Sequence, residues 1–302
     1  MSDTRGAVLI TGASTGLGRE TALHLADRGF QVFAGVRREA DAQELRQADD
    51  RVEPVIVDVT AAESIAAAHK LIADRVGAAG LTGLVNNAGV CVAAPIELLP
   101  AEDLRAQLEV TLVGPVQLIR TFLPLLRIRA AGAPTRAPAG RIVNVASGVG
   151  RLATPYHGAY AAAQFGKVGL SDALRRELAP LQVSVSIIEP GAVSTPIWGK
   201  LGEGAERVLA AAPDEIADLY RDRFLAFVTA NTQRAQASRT KPAQVATAIE
   251  HALTAQSPRT RYPVGADSKA VAVATRLLPN RLLDFVMERT GPAITVPKEV
   301  RA

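Results

Sequence analysis

Thr11-Gly12-Ala13-Ser14-Thr15-Gly16-Leu17-Gly18 decides the reading of this chain. Before it stands a short apolar run, Ala7-Val8-Leu9-Ile10, that ends in Thr11. After it, apolar residues recur at Leu17, Ala22, Leu25 and Ala26 between charges, until Gly29 stops the pattern beyond Arg28. The order is strand, glycine turn, helix. In that place glycines let the backbone approach a pyrophosphate, and the helix start offers free N–H groups at the positive end of its dipole. The turn is therefore predicted to bind phosphate; a tight turn without ligand is the other reading of the glycines.

The same alternation continues outward. Gln31 to Val36 and Val52 to Val57 read as strands, with Pro54 interrupting the second. Ala61 to Val76 reads as a helix, and Leu84-Val85 leads into the turn Asn86-Asn87-Ala88-Gly89. A long helical pattern covers Pro100 to about Ile128, with kinks or a break expected at Pro115 and Pro124. Arg129 to Gly140 is expected as a surface insertion rich in Gly, Pro and Ala. Arg141 to Ala146 is a strand, Ala159 to Leu178 a helix and Val183 to Ile188 a strand. Strands that are apolar throughout and alternate with helices specify an α/β fold, a Rossmann-type doubly wound parallel sheet with both faces covered.

Residues 191–213 are expected as a mobile loop with short helical pieces, because Gly191, Pro196, Gly199, Gly202, Gly204 and Pro213 interrupt them. Helices are expected over Asp214 to Gln236 and Pro242 to Ala255, then a strand over Arg261 to Val264. The expected organisation is one Rossmann-type domain, 1–265, that carries the phosphate-binding turn, followed by a helical extension, 266–302, interrupted by Pro279.

Composition narrows the classes. The chain has 302 residues, 48% hydrophobic and 21% charged, which is ordinary for a globular protein and excludes disorder and fibrous structure. The net charge of +4 is scattered, and no run of five or six like charges reads as a nucleic-acid arm. One cysteine, Cys91, excludes a disulfide framework and a cysteine-based zinc site, and no metal-ligating constellation stands out. Met1 to Arg5 does not read as a signal peptide, and no stretch of about 18 uninterrupted apolar residues reads as a membrane span. A cytoplasmic, reducing location is expected.

The spacing T-G-x-x-x-G-x-G, together with motifs downstream, resembles the short-chain dehydrogenase/reductase family over roughly residues 6 to 265. By that resemblance Thr11, Gly12, Ser14, Thr15, Gly16, Leu17 and Gly18 form the cofactor turn. Asn87-Ala88-Gly89 looks like the segment that supports the sheet beside the cofactor, and Asp58-Val59 matches the adenine contact. Pro190-Gly191 with Thr195 looks like the loop that holds the nicotinamide carboxamide. At the end of the second strand an acid would bond the adenosine ribose and repel a phosphate. This chain has Gly35-Val36-Arg37-Arg38 instead, and Arg37 is suited to a 2′-phosphate. NADP(H) is the expected cofactor, with NAD(H) as the other possibility; the two arginines as plain solvated charges are the alternative.

Ser147 and Tyr160 match the family's catalytic serine and tyrosine, which orient the substrate oxygen and move its proton. Two further catalytic positions depart from the pattern. The family's lysine is replaced by Gln164 and its asparagine by Thr111. Removing a unit charge ~4–5 Å from the phenol is worth on the order of 3–4 kcal/mol at an effective dielectric near 20. Lys167 lies on nearly the same helix face, ~10.5 Å along the axis from Tyr160. A Tyr-x6-Lys spacing occurs in the family's enoyl-reductase branch, which this glycine turn does not resemble, so Lys167 is expected as a solvated or subunit-facing charge.

The expected activity is reversible oxidation of an alcohol to a carbonyl on a fairly hydrophobic small molecule, favouring reduction. A cofactor-binding protein with weakened or lost catalysis, acting as sensor or scaffold, is the alternative. Leu152, Tyr156, Ile197 and Trp198 fall at family positions near the substrate, and His157 is a candidate pocket residue. Phe33 to Arg37 and Arg261 to Gly265 look like members acting on steroids and retinoids. His24, His69 and His251 read as surface or satisfied histidines. A homodimer or homotetramer through the two long central helices is expected. The segment from Ala270 to Arg289 is expected to cap the cleft or pack between subunits, with a membrane-surface position as the other reading.

Overall fold

Alternation of side chains along the first strand builds both layers of the core. In a computed structural model describing residues 5–128 and 139–290, β1 (Ala7–Thr11) is buried along its whole length. Val8 and Ile10 face one hydrophobic cluster, Ala7 and Leu9 the other. A strand buried on both faces needs a helical layer on each side. α1 (Gly16–Asp27) and α2 (Glu39–Ala48) join the first cluster; β2 (Gln31–Val36) and β3 (Val52–Ile56) extend the sheet. α3 (Ala62–Val76) joins the second cluster, and β4 (Gly83–Asn86) lies on the other side of β1.

The long helical pattern resolves into α4 (Ala101–Leu108), a π turn at Glu109–Val113 and α5 (Gly114–Leu126). The irregularity precedes Pro115, which has no N–H for the carbonyl four residues back, that of Thr111; the wider turn absorbs this mismatch. Pro124 lies inside α5. With a mean hydropathy of 1.2, Ala101–Leu126 is the one helical stretch among the described residues long and apolar enough to cross a membrane. Here Leu118, Ile119, Phe122, Leu125 and Leu126 pack into the second cluster beside α3. The expected insertion at Arg129 to Gly140 falls largely outside the described residues.

β5 (Gly140–Val145), α6 (Gly158–Glu177) and β6 (Val183–Pro190) follow. The expected loop at 191–213 differs from the structure, where α7 (Ile197–Ala211) is a helix of 15 residues. The glycines that suggested a loop, Gly199, Gly202 and Gly204, meet open space, while Leu201, Ala205, Val208 and Leu209 are buried. Burial of that apolar stripe outweighs glycine's weak helix propensity, about 1 kcal/mol per residue. α8 (Asp214–Gln236) packs on α7, and the two form a third cluster centred on Phe224 and Phe227. α9 (Pro242–Thr254) lies against α1 and closes the first layer. β7 (Arg261–Val264), α10 (Ala266–Leu277) and α11 (Asn280–Thr290) complete the described chain.

All strands run parallel in the order β3-β2-β1-β4-β5-β6-β7. Chain direction across the sheet reverses between β1 and β4, and ligands of such sheets bind at the carboxyl ends of the strands flanking that point. The loops that leave there are Gly12–Thr15 and the one beginning at Asn87.

Candidate active site

The glycine turn is built around its second neighbour, the loop after β4. Thr11 is buried at the end of β1, and its hydroxyl oxygen accepts the N–H groups of Asn87 and Ala88 at 3.2 and 3.1 Å. The Asn87 amide donates back to the carbonyl oxygens of Thr11 and Gly12 at 2.9 and 3.1 Å. Gly12 has φ +66, and a Cβ there would lie 2.8 Å from the Ala88 Cα. A Cβ on Gly18 would lie 2.2 Å from the Gly12 carbonyl oxygen. Glycine is thus required by conformation at one end of the turn and by close packing at the other. α1 begins with no side-chain cap and no acid in its first turn, which leaves its N-terminal N–H groups and dipole to an anion. Ser14 and Thr15 lie on the rim, while Leu17 packs against the first core.

Arg37 and Asp58, the residues expected at the adenosine end, follow β2 and β3. Arg38 forms a bidentate pair with Asp41, at 3.0 and 2.7 Å. Arg37 is exposed, and its charge helps to hold the Asp58 carboxyl below the usual range, behind the larger effect of the Thr60 N–H. Val59 lies against the start of α5, where a Cβ on Gly114 would meet its carbonyl oxygen at 2.6 Å. Gly89 is exposed beyond Ala88.

At the other end, Pro190 closes β6 and Gly191 begins the loop to α7. A Cβ on Gly16 would lie 3.5 Å from the Thr195 Cβ, so the two cofactor motifs, 179 residues apart in sequence, meet across the cleft. The strand end is anchored by buried Glu189, which accepts a bidentate pair from Arg151 and a further bond from Arg261.

Tyr160 sits in the first turns of α6, with Ser147 after β5. Loss of solvation raises the Tyr160 hydroxyl above its ordinary pKa, and the Cys91 thiol adds to this; Ser147 and Gln164, its polar neighbours, lower it by lesser amounts. The phenol is protonated at neutral pH and is a proton donor. Ser147 also accepts the Val149 N–H at 3.2 Å, which fixes its oxygen. Gln164 is 5% exposed, and its Oε1 is buried with no hydrogen-bond partner. A buried acceptor without a donor is uncommon, and a ribose hydroxyl would satisfy it. Thr111 is buried in the π turn, where its hydroxyl accepts the Gln107 amide at 2.8 Å. The glycine cradle, the acid-free helix start and the orphaned Gln164 oxygen together fit a dinucleotide laid from Arg37 to Tyr160.

Lys167 corrects the sequence expectation. It is 1% exposed, not solvated, and its Nζ donates to the Val145 carbonyl at 3.2 Å. Burial lowers its pKa to about 8. Its apolar stem lies within the core, and the carbonyl at the end of β5 satisfies the head group.

The substrate side is apolar. Tyr156, at φ +61, packs between Phe224 and Phe227, with ring centroids 5.3 and 5.4 Å away. Trp198 and Cys91 join the same cluster. His157 is 3% exposed, bonds Thr154 at 2.9 Å, and stands 3.8 Å from Cys91 and 5.6 Å by ring centroids from Tyr160. Burial lowers its pKa to about 4 and raises that of Cys91 to about 12, so both are neutral at pH 7. Sequence reasoning did not find Phe224, Phe227 or Cys91; the only trace was the three-residue spacing of the phenylalanines on α8.

The family described as short chain dehydrogenase matches residues 6–206. A 3-amino-tetrahydro-pyrrolizinone reductase of Xenorhabdus hominickii is 34% identical over 297 residues, spanning 98% of this chain and all of that one. A 17-beta-hydroxysteroid dehydrogenase type 6 of Bos taurus is 38% identical over 291 residues, 94% of this chain and 88% of its own. Among solved structures, a short-chain dehydrogenase from Streptomyces avermitilis superposes with a TM-score of 0.74 at 29% identity, covering 95% of this chain and 96% of that one.

Proposed function

The chain belongs to the short-chain dehydrogenase/reductase family and is an oxidoreductase; from that premise we propose that it uses NADP(H) to interconvert an alcohol and a carbonyl on a fairly hydrophobic small molecule, favouring reduction at neutral pH. The observation that carries this reading is the placement of Tyr160 in the first turns of α6, with Ser147 and the neutral Gln164 as its polar neighbours and its hydroxyl buried and protonated.

When bound, the nicotinamide supplies or accepts the hydride. The chain's own residues do the rest. Tyr160, protonated at pH 7, donates its proton to the carbonyl oxygen. The Ser147 hydroxyl orients that oxygen. The Gln164 Oε1 would accept a ribose hydroxyl of the cofactor and help to hold it. In the direction of alcohol oxidation Tyr160 would have to act as a phenolate, which its environment disfavours, so that direction is slow at neutral pH.

NADP(H) is supported over NAD(H) by Arg37, exposed at the end of β2, where Gly35-Val36-Arg37-Arg38 carries no acid, and by the engagement of Arg38 with Asp41. A hydrophobic substrate is supported by the ring of Tyr156, Phe224, Phe227 and Trp198. The steroid in the name of one relative is of that character. We further propose a cytoplasmic location and a homodimer or homotetramer through the central helices, which expose Phe165 and Val113.

The test is to titrate the protein with NADPH and NADH by fluorescence, then screen cyclic ketones, steroid ketones and retinoid aldehydes for cofactor oxidation. Tighter NADPH binding with turnover of an apolar carbonyl is expected. Binding without turnover across the screen would favour a sensor or scaffold, the reading that Gln164 and Thr111 support. Failure to bind either cofactor would sink both.

A further inference from the structure

The loop that follows β6 is held by the helix beyond the sheet. Asp267, in the first turn of α10, accepts the Ala192 N–H on its Oδ2 at 2.7 Å. Its neighbour Ser268 donates to the Glu189 carbonyl at 2.6 Å. Ser238 donates to the Ala192 carbonyl at 2.6 Å, and the Gly191 N–H bonds the Val264 carbonyl at 2.9 Å. Pro190 has no N–H. From Glu189 to Ala192 the backbone is therefore tied at four points to groups that lie far away in sequence.

The Asp267 carboxylate also explains Gly191. A Cβ on Gly191 would fall 1.9 Å from the Asp267 Oδ1, and no other contact is closer. Gly191 does not lie in the left-handed region, so its backbone conformation admits alanine. What excludes a side chain there is the carboxylate. The glycine and the aspartate form one fitted pair, 76 residues apart.

We propose that Asp267 is a positioning residue for the nicotinamide half of the cofactor. It sets the backbone of the Pro190-Gly191-Ala192 turn from which Thr195 is carried to the Gly16 side of the cleft. The adenosine half, held by the glycine turn, Asp58 and Arg37, does not depend on it. The inference rests on the dinucleotide reading above. An acid in the first turn of α10 also favours the helix dipole. That role needs the charge, whereas the bond to Ala192 needs only an oxygen acceptor, which asparagine retains.

The test compares wild type, Asp267→Ala and Asp267→Asn of the full chain for binding of NADPH and of 2′,5′-ADP, its adenosine half, with NADH and ADP as the parallel pair. Asp267→Ala is expected to weaken NADPH by about tenfold and 2′,5′-ADP by less than about twofold. Asp267→Asn is expected to stay within about threefold of wild type for both. Gly191→Ala is expected to reproduce the NADPH-specific loss in wild type and to add nothing in the Asp267→Ala background. Equal weakening of both ligands, no weakening of either, an asparagine variant as weak as alanine, or additive losses in the double variant would each overturn the proposal. If wild type binds neither dinucleotide, the functional reading itself fails and takes this one with it. If wild type binds and the variants match it, this inference alone fails.

Discussion

The Lys167 ammonium donates to the Val145 carbonyl at 3.2 Å, so the only lysine of α6 is held against the end of β5, two residues before Ser147. Its hydrogen bond is committed to the sheet. The groups that shift the Tyr160 hydroxyl are its own burial, Cys91, Ser147 and Gln164, and none is a cation. The proposed preference for reduction rests on that arrangement.

Gln164→Lys should restore the missing charge. A cation ~4–5 Å from the phenol favours the phenolate by about 3–4 kcal/mol at an effective dielectric near 20, a pKa change of roughly 2–3. Alcohol oxidation at pH 7 is expected to rise about 100-fold, its pH–rate profile to move towards acid, and carbonyl reduction to change by less than about threefold. Initial rates in both directions across pH check this. Unchanged oxidation would show that charge at this position does not govern Tyr160.

Arg37→Ala tests cofactor choice. A charge-assisted bidentate contact to a phosphate contributes about 1.5–3 kcal/mol, so NADPH should bind about 10- to 100-fold more weakly. NADH, which lacks the phosphate, should change by less than about twofold. An equal loss for both dinucleotides would place Arg37 outside the 2′-phosphate site.

Gly18→Ala tests the turn. The new Cβ would meet the Gly12 carbonyl oxygen at 2.2 Å and the Asn87 amide nitrogen at 2.5 Å, and both are braced by the bonds between the two loops. Helix α1 must back away. A stability loss of about 1–3 kcal/mol is expected, with cofactor affinity reduced at least about tenfold. Urea denaturation and fluorescence titration measure the two. A variant as stable and as tight as wild type would refute the close approach of α1 to the turn.

His157 should make the fold acid-sensitive. Its pKa is lowered to about 4 in the folded chain, against about 6.5 in the unfolded one. Between these values the unfolded chain binds a proton that the folded chain does not, so stability falls as pH drops from 6.5 to 4, by about 3 kcal/mol at most. Above pH 6.5 the residue makes no pH-dependent contribution. His157→Phe, which keeps ring packing against Phe227 and Tyr160, should flatten that part of the profile. Denaturation midpoints at pH 7 and 4.5 decide it; equal acid losses in wild type and variant would assign the sensitivity elsewhere.

Much of the candidate cofactor site is legible because it is local. The glycine turn, the end of β2, the Asn87 loop and the Pro190-Gly191 pair each lie at a strand end, and a parallel sheet brings strand ends together whatever the loops between them do. The candidate catalytic pair is legible for the same reason: Ser147 follows β5 and Tyr160 lies in the first turn of the next helix. The departures at Gln164 and Thr111 were visible as residue types. Their consequence was not, because the pKa of Tyr160 depends first on its burial and then on the nearby Cys91 thiol, far away in sequence. Residues 191–213 misread as loop because glycine and proline are local signals, while the packing of Leu201, Ala205 and Leu209 against α8 is not.

The amino-acid sequence alone determined the layers of the fold, the order of its elements and the phosphate end of the cofactor site, since periodicity and turn chemistry act over a few residues. Tertiary structure decided the state of the charges and the shape of the substrate end. A lysine expected as a solvated or subunit-facing charge is buried on a backbone carbonyl, one of two exposed arginines pairs with Asp41, and an aspartate beyond the last strand packs against a glycine 76 residues earlier. Solvation and carboxylate-to-backbone contacts are properties of what surrounds a residue in space, and those neighbours exist only once the sheet has assembled.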